Sequence, residues 1–480
     1  MTDQENRRRW LALYVLCGAS LMIVLDTTIV NVALPSIRDD LGFSETSLAW
    51  VVNAYTLTFG GFLLLGGRLG DLYGHRRMFL AGITLFTLAS AACGLAGSQG
   101  FLVAARAVQG LGGAVTSAVS LSLLMTLFVS TADRAKAMGV FGFVASGGGS
   151  IGVLLGGVLT DVLDWHWIFL VNVPIGIAVV LLSTRLLPSA PGGARSSRLD
   201  VAGAITVIAA LMLAVYAVVN GNENGWTSAE TLSLLAVAVA LFVVFLLIEK
   251  FTRAPLMPLG LFRNRNLSTA SGVGMLWAAA MFAWFFLSAL YLQLVLGYTP
   301  LQVGLAFLPG NLVMGALSLG LSAKIVMRYG IKRPLAIGLF LAALGLLVFA
   351  RAPLDGQFVT DVLPGMLLLG VGAGIAFNPV LMAAMGDVPP EESGLASGVV
   401  NTAFMMGGAL GLAVLASVAA SRTASLGGSS DISALLAGYH LAFLVGAIFA
   451  LAAASLGLAL FRVPASMRAA HGGPEPVGAD

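Results

Sequence analysis

Apolar runs of about 20 residues succeed one another along the chain, separated by short segments in which arginine, glycine, aspartate and proline gather. A run of that length is what an α-helix needs to cross a hydrocarbon core of roughly 30 Å. Fourteen membrane helices are expected, over residues 10–35, 46–66, 77–97, 101–127, 136–160, 165–187, 199–219, 230–250, 266–293, 301–323, 334–351, 360–384, 393–419 and 438–462. An even number puts both ends of the chain on one side of the membrane.

Composition agrees. With 58% hydrophobic and 10% charged residues and a mean hydropathy of +0.96, the chain lies outside the range of soluble globular proteins. If the N-terminus is inside, 21 of the 25 lysines and arginines fall in cytoplasmic segments, only Arg38, Arg351 and Arg422 fall outside, and Arg106 lies within a span. One helix more or fewer would scramble this alternation, so the bias of basic residues to the inside supports both count and orientation. The net charge of +3 then reflects topology, and no basic patch interleaved with aromatics points to nucleic acid. Cys17 and Cys93 fall within spans, where a structural disulfide is not expected. No small-residue cleavage site follows the first apolar run, so that helix is expected to be retained.

Two polar breaks divide the chain. The expected organisation is a six-helix bundle over 1–187, a cytoplasmic linker over 188–200 (within it PSAPGGARSSR), two further helices over 201–250, a second linker over 251–265, a second six-helix bundle over 266–465 and a tail over 466–480. A weak repeat relates the bundles: YGHRR (73–77), between helices 2 and 3, is echoed by YGIKR (329–333), between helices 10 and 11. Paired six-helix halves are the mark of a secondary transporter with its site between them near the midplane. GxxxxGK[ST] is absent, which leaves ion coupling as the energy source. A proton moving down ~150 mV releases roughly 3.5 kcal/mol, enough for a concentration ratio of several hundred.

Specific motifs carry a resemblance over essentially the whole chain. GRLGDLYGHRR (67–77), RAVQGLGG (106–113), LDTTIVNVALP (25–35) and DWHWIFLVNVPIG (164–176) resemble, in order, the loop after helix 2, the helix 4 motif, the first-helix motif and the helix 6 entry of the major facilitator superfamily, in its fourteen-helix drug/proton antiporter branch. The implied fold is all-α and integral to the membrane, with two six-helix bundles and two inserted helices. There are departures: His166 stands where arginine is usual, Val153 where the helix 5 glycine motif usually has proline, and Phe404, Met405 and Met406 where polar residues are common. The branch implies proton-coupled efflux of lipophilic, neutral or monocationic drugs or antibiotics by a monomer in a bacterial plasma membrane, with no cofactor beyond the coupling proton.

Asp26 and Arg106 are charges placed within apolar runs. Each costs roughly 2.5 to 3.5 kcal/mol at a helix centre unless it meets water or a partner. Their depths are compatible, and in the resembled fold helices 1 and 4 line the central cavity. They are therefore expected to face one another there, with Asp26 exchanging a proton as the cavity changes sides. The alternative is that Asp26 bonds locally to Thr27 or Asn31 and never titrates. Gly67, Asp71, Gly74, Arg76 and Arg77 form a tight loop in which Asp71 can meet a helix N-terminus or Arg134. Resemblance makes that cluster a cytoplasmic gate latch, whereas the plain alternative makes its arginines topology determinants. Gly148, Gly152 and Gly156, with Gly157 beside them, are expected at helix contacts, either as tight packing or as a surface on which the halves slide. Trp277, Trp284 and Tyr291 recur every seven residues on one face of helix 9 and are candidates to stack on a flat substrate or to pack against helices and lipid. Asn31, Gln109, Asn311, Asn378 and Asn401 are candidate polar contacts in the cavity.

An enzyme is not expected. The four histidines are scattered, there is no HExxH or metal-ligand cluster, and the GxSxG at 148–152 lies inside an apolar helix with no strand before it. The other readings are a small-metabolite importer or facilitator, which Val153 favours, and a receptor or scaffold, which gives no reason for repeated halves.

Overall fold

The computed structural model describes residues 3–128, 131–188, 200–252, 255–385, 388 and 393–462; for some helical residues, Asp71 and Arg134 among them, it describes the backbone alone. The described chain is helical and contains no strand. The first helices are α1 (Asp3–Leu41), α2 (Glu45–Tyr73), α3 (His75–Cys93), α4 (Gln99–Leu127), α5 (Thr131–Val162), α6 (Trp167–Leu170) and α7 (Asn172–Leu186). An adjoining pair follows, α8 (Val201–Asn224) and α9 (Ala229–Phe251). The rest are α10 (Arg265–Leu290), α11 (Pro300–Ala316), α12 (Ser322–Tyr329), α13 (Lys332–Phe349), α14 (Leu363–Met385), α15 (Ser393–Ser425) and α16 (Ile432–Leu460). Among the described residues, eleven helical stretches are long and apolar enough to cross a membrane, and shorter apolar helices cover Ile151–Val162 and Pro300–Ala316.

Local sequence sets the helix starts. Ser44 with Ser47, and Thr299 with Gln302, form reciprocal capping boxes, the second with Pro300 at the first helical position. Ser98, Ser228, Asn264 and Asp431 cap α4, α9, α10 and α16 through their side chains.

Four expected spans differ in form. The span at 165–187 is interrupted at Val171, between α6 and α7. The span at 301–323 passes through a π-helical turn, Leu317–Leu321, whose Ser318 carbonyl accepts from the Asn378 side chain at 3.0 Å. Further π-helical turns lie at Tyr291–Val295 and Phe358–Val362. Hydropathy does not register such changes, because a π turn rearranges hydrogen bonds without altering the apolar content of the segment.

The YGHRR/YGIKR echo has a structural counterpart. Gly74 and Gly330 occupy the same place between helices with φ of +92° and +75°, where a Cβ is strained. The next basic residue caps the last helix of its own half: Arg76 donates to the Thr184 carbonyl, and Lys332 Nζ to the Leu458 carbonyl at 3.0 Å. Gly330→Val is therefore expected to lower stability by about 1–3 kcal/mol, read as a drop in melting temperature of the detergent-purified protein.

Helix pairing repeats in the same way. The contacts α1 with α5, α2 with α4, α3 with α4 and α3 with α7 recur as α10 with α15, α11 with α14, α13 with α14 and α13 with α16. The two sets meet through α2 on α15 and α5 on α11, while α8 leans on α15 and α2 and carries α9.

Candidate functional site

The two intramembrane charges meet. Arg106 Nη1 lies 2.5 Å from Asp26 Oδ2, with exposures of 1% and 0%. Arg106 and Gln109 are three apart on α4 and so share a face. Gln109 Nε2 donates to Asp26 Oδ1 at 2.6 Å and to Ser90 Oγ at 2.6 Å, while its Oε1 accepts from Arg106 Nη1 at 2.7 Å. The interruption at Val171 brings Asn172 to the start of α7, and its Nδ2 reaches Asp26 Oδ1 at 3.2 Å and Ser90 Oγ at 3.3 Å. The guanidinium is held further by Nε donating to the Val51 carbonyl at 2.9 Å, and by the faces of Tyr55 and Phe169, 4.4 and 5.5 Å from Cζ.

Both oxygens of Asp26 are thus hydrogen-bonded, and six helices (α1 to α4, α6 and α7) contribute to the enclosure. Burying two charges is expensive, and their attraction offsets the loss of water only with such geometry. Both side chains are almost wholly enclosed, and neither is among the residues that border the two cavities described below. Pairing inside the first bundle satisfies each charge without water.

The remaining candidates divide. Asn31 turns back on its own helix, donating to the Thr27 and Thr28 carbonyls at 3.2 and 3.3 Å. Gln109 belongs to the ion-pair cluster rather than to a cavity. Trp277, Asn401 and Phe404 border a small cavity of about 30 Å³, with exposed Phe377 beside them. Trp284 is enclosed by Phe285 and Phe307, with ring centroids at 4.4 and 6.1 Å. Tyr291 opens a π-helical turn and donates to the Pro353 carbonyl at 2.9 Å, so the aromatic face expected on this helix does not act as one surface. Asn311 is buried with both amide atoms unpartnered, and Asn378 is engaged with Ser318.

The glycines divide too. Cβ positions on Gly148, Gly152 and Gly156 would meet Leu21 and Val24, the Leu25 carbonyl and the Ile29 carbonyl, all on α1. Those three pack within the first bundle and not between halves. Gly157 faces the other way: a Cβ there would lie 2.6 Å from the Pro300 carbonyl and 2.9 Å from Leu301 Cα, on α11. In the loop cluster, Gly67 has open space around it, Gly74 makes the turn and Arg77 is exposed. The expected meeting of Asp71 and Arg134 lies outside the described side chains.

Sequence reading missed Ser90, Asn172, Tyr55 and Phe169, because helix rotation, not polarity, brings them to the Asp26–Arg106 cluster. It also missed Glu249 and Asp200, buried acids on α9 and at the cap of α8. Glu249 Oε2 accepts from Met257 N at 2.9 Å and Asp200 Oδ1 from Gly203 N at 2.7 Å, and the other oxygen of each lies against Gly203. Their position at helix ends made them look like boundary charges. At the terminal end of the bundle, Arg9 pairs with Asp133 at 2.6 Å, tying α1 to α5.

Comparisons with known proteins agree with this architecture. The puromycin resistance protein of Streptomyces alboniger is 40% identical over 420 residues, which is 87% of this chain and 83% of that protein. The cephamycin export protein of Amycolatopsis lactamdurans is 39% identical over 450 residues, 93% of this chain and 91% of that one. A bacterial homologue of the human lysosomal transporter Spinster, solved inward-facing and unoccupied, shares the fold at a TM-score of 0.67 and 14% identity, covering 95% of this chain and 97% of that one. Residues 16–412 match the Major Facilitator Superfamily, so the chain belongs to that family and is a multi-pass membrane transporter.

Proposed function

We propose that this protein exports lipophilic, neutral or singly charged antibiotics or drugs in exchange for protons, by alternating access. In this reading it crosses the plasma membrane fourteen times with both termini in the cytoplasm and acts as a monomer. The observation that carries the coupling is the enclosed ion pair of Asp26 and Arg106. A proton on Asp26 removes the charge that holds the guanidinium. Arg106 then keeps Gln109, the Val51 carbonyl and the Tyr55 face as partners, and the tie of α1 to α4 is reduced to the uncharged bond of Gln109 Nε2 to Asp26 Oδ1. Re-forming the pair expels the proton. Access alternates because the bundle holding Asp26 moves against the other across the contacts of α5 with α11 and α2 with α15. The export direction is supported by the relatives named for puromycin resistance, cephamycin export and lincomycin resistance.

The test is transport of ethidium, a lipophilic monocation, in proteoliposomes under an imposed pH gradient. Ethidium should move opposite to protons. In Asp26→Asn, which keeps the size of the side chain but cannot exchange the charge, gradient-driven accumulation should fall at least tenfold in normally folded protein. Undiminished accumulation in that variant overturns proton coupling at Asp26, and movement of ethidium along with protons overturns antiport.

A further inference from the structure

The adjoining pair α8 and α9 encloses, with the bundles, a cavity of about 590 Å³, within the roughly 300–1,000 Å³ typical of small-molecule sites. Its walls include Gly61 of α2, Leu211 of α8, Phe245 of α9, Met275 of α10 and Met406 of α15. Among the described residues no charged side chain lines it. The three hydroxyls that do are already committed as donors: Ser268 to the Phe262 carbonyl at 2.6 Å, Ser271 to the Leu267 carbonyl at 3.0 Å and Thr402 to the Gly60 carbonyl at 3.1 Å. Asp200 and Glu249, the nearest buried acids described above, are not among its lining residues.

Such a lining offers nothing to a charge and little to a polar headgroup, whose desolvation would go uncompensated. Two α9 residues open it sideways. Val239 and Phe242 border the cavity and are also 64% and 41% exposed on the apolar outer surface of the helix. On its inner side, α15 turns Thr402, Ala403 and Met406 to this cavity and Asn401 and Phe404 to the small cavity beside Trp277. We propose that the cavity binds a neutral, lipophilic small molecule entering from the membrane, and that α8 and α9 serve to form this site. The inference rests on the export reading for its place in the cycle, as a holding site ahead of the central path, but not for binding itself.

The experiment uses the full chain in phospholipid nanodiscs and Nile red, a neutral lipophilic dye, in equilibrium fluorescence titrations. Saturable binding is expected. Ala214→Trp and Ala403→Trp, which place a ring in the cavity, should each raise Kd at least tenfold, and Phe242→Ala, which removes a wall, at least threefold, with elution profiles and melting temperatures showing folded protein. The titrations are made at one pH with no gradient across the membrane, so failure of proton coupling and failure of this site are read separately. Unchanged Kd in the folded cavity variants overturns the proposal. So does a phospholipid that remains bound one per chain in native mass spectrometry at saturating Nile red.

Discussion

Arg106→Ala should leave little folded transporter in the membrane. Arg106 is the cation paired with Asp26, and without it the carboxylate stays buried against Gln109 and Asn172 alone. Breaking a buried pair from one side costs about 3–5 kcal/mol, a large part of a total stability of about 5–15 kcal/mol. The same change frees the Val51 carbonyl and removes a cation from the Tyr55 face. Replacing both partners by apolar side chains of similar size, Asp26→Leu with Arg106→Met, leaves no uncompensated charge and should recover most of the folded yield while abolishing gradient-driven transport. Fluorescence-detected size exclusion and melting temperatures of the single and double variants measure both effects. A single variant as stable as the parent would show that the pair does not hold the first bundle together.

Valine at two adjacent glycines should fail in two different ways. A Cβ on Gly156 would lie 2.7 Å from the Ile29 carbonyl and 3.2 Å from Ile29 Cα, so Gly156→Val separates α5 from α1 and lowers the melting temperature. A Cβ on Gly157 meets backbone of α11 instead, in the other half. Gly157→Val therefore leaves each bundle intact and opposes their approach at the end where Gln293 Nε2 donates to the Val32 carbonyl at 2.8 Å. Depleting that closed arrangement a hundredfold takes about 2.7 kcal/mol, modest for a clash with backbone. Transport should fall by about that factor at nearly unchanged melting temperature, and Gln293→Cys should react faster with an impermeant maleimide. Labelling at the parent rate in Gly157→Val would refute the assignment of this contact to closure.

Much of the architecture was legible because lipid imposes a local rule: each crossing segment must satisfy its own backbone and present apolar side chains. The expected runs fall on helices for that reason, and Gly74 could be placed in a turn because its neighbours change from apolar to charged there. The same rule flagged Asp26 and Arg106, whose charge is costly wherever the helix faces. It could not say what they face. Asp26 meets Arg106 across 80 residues of sequence and Asn172 across 146, and such meetings depend on how each helix is rotated about its axis.

The sequence by itself determined that the chain is a membrane-embedded helical protein with related halves and one acid and one arginine that demanded a partner. Those are properties of segment length, polarity and spacing, read one helix at a time. Only the tertiary structure decided that the two charges enclose each other, that three glycines of α5 serve α1 while the fourth serves α11, that Trp284 and Tyr291 are packed away, and that α8 and α9 wall an apolar cavity. Each is a property of two or more helices at once, set by crossing geometry and side-chain direction, which distant segments settle only when they pack.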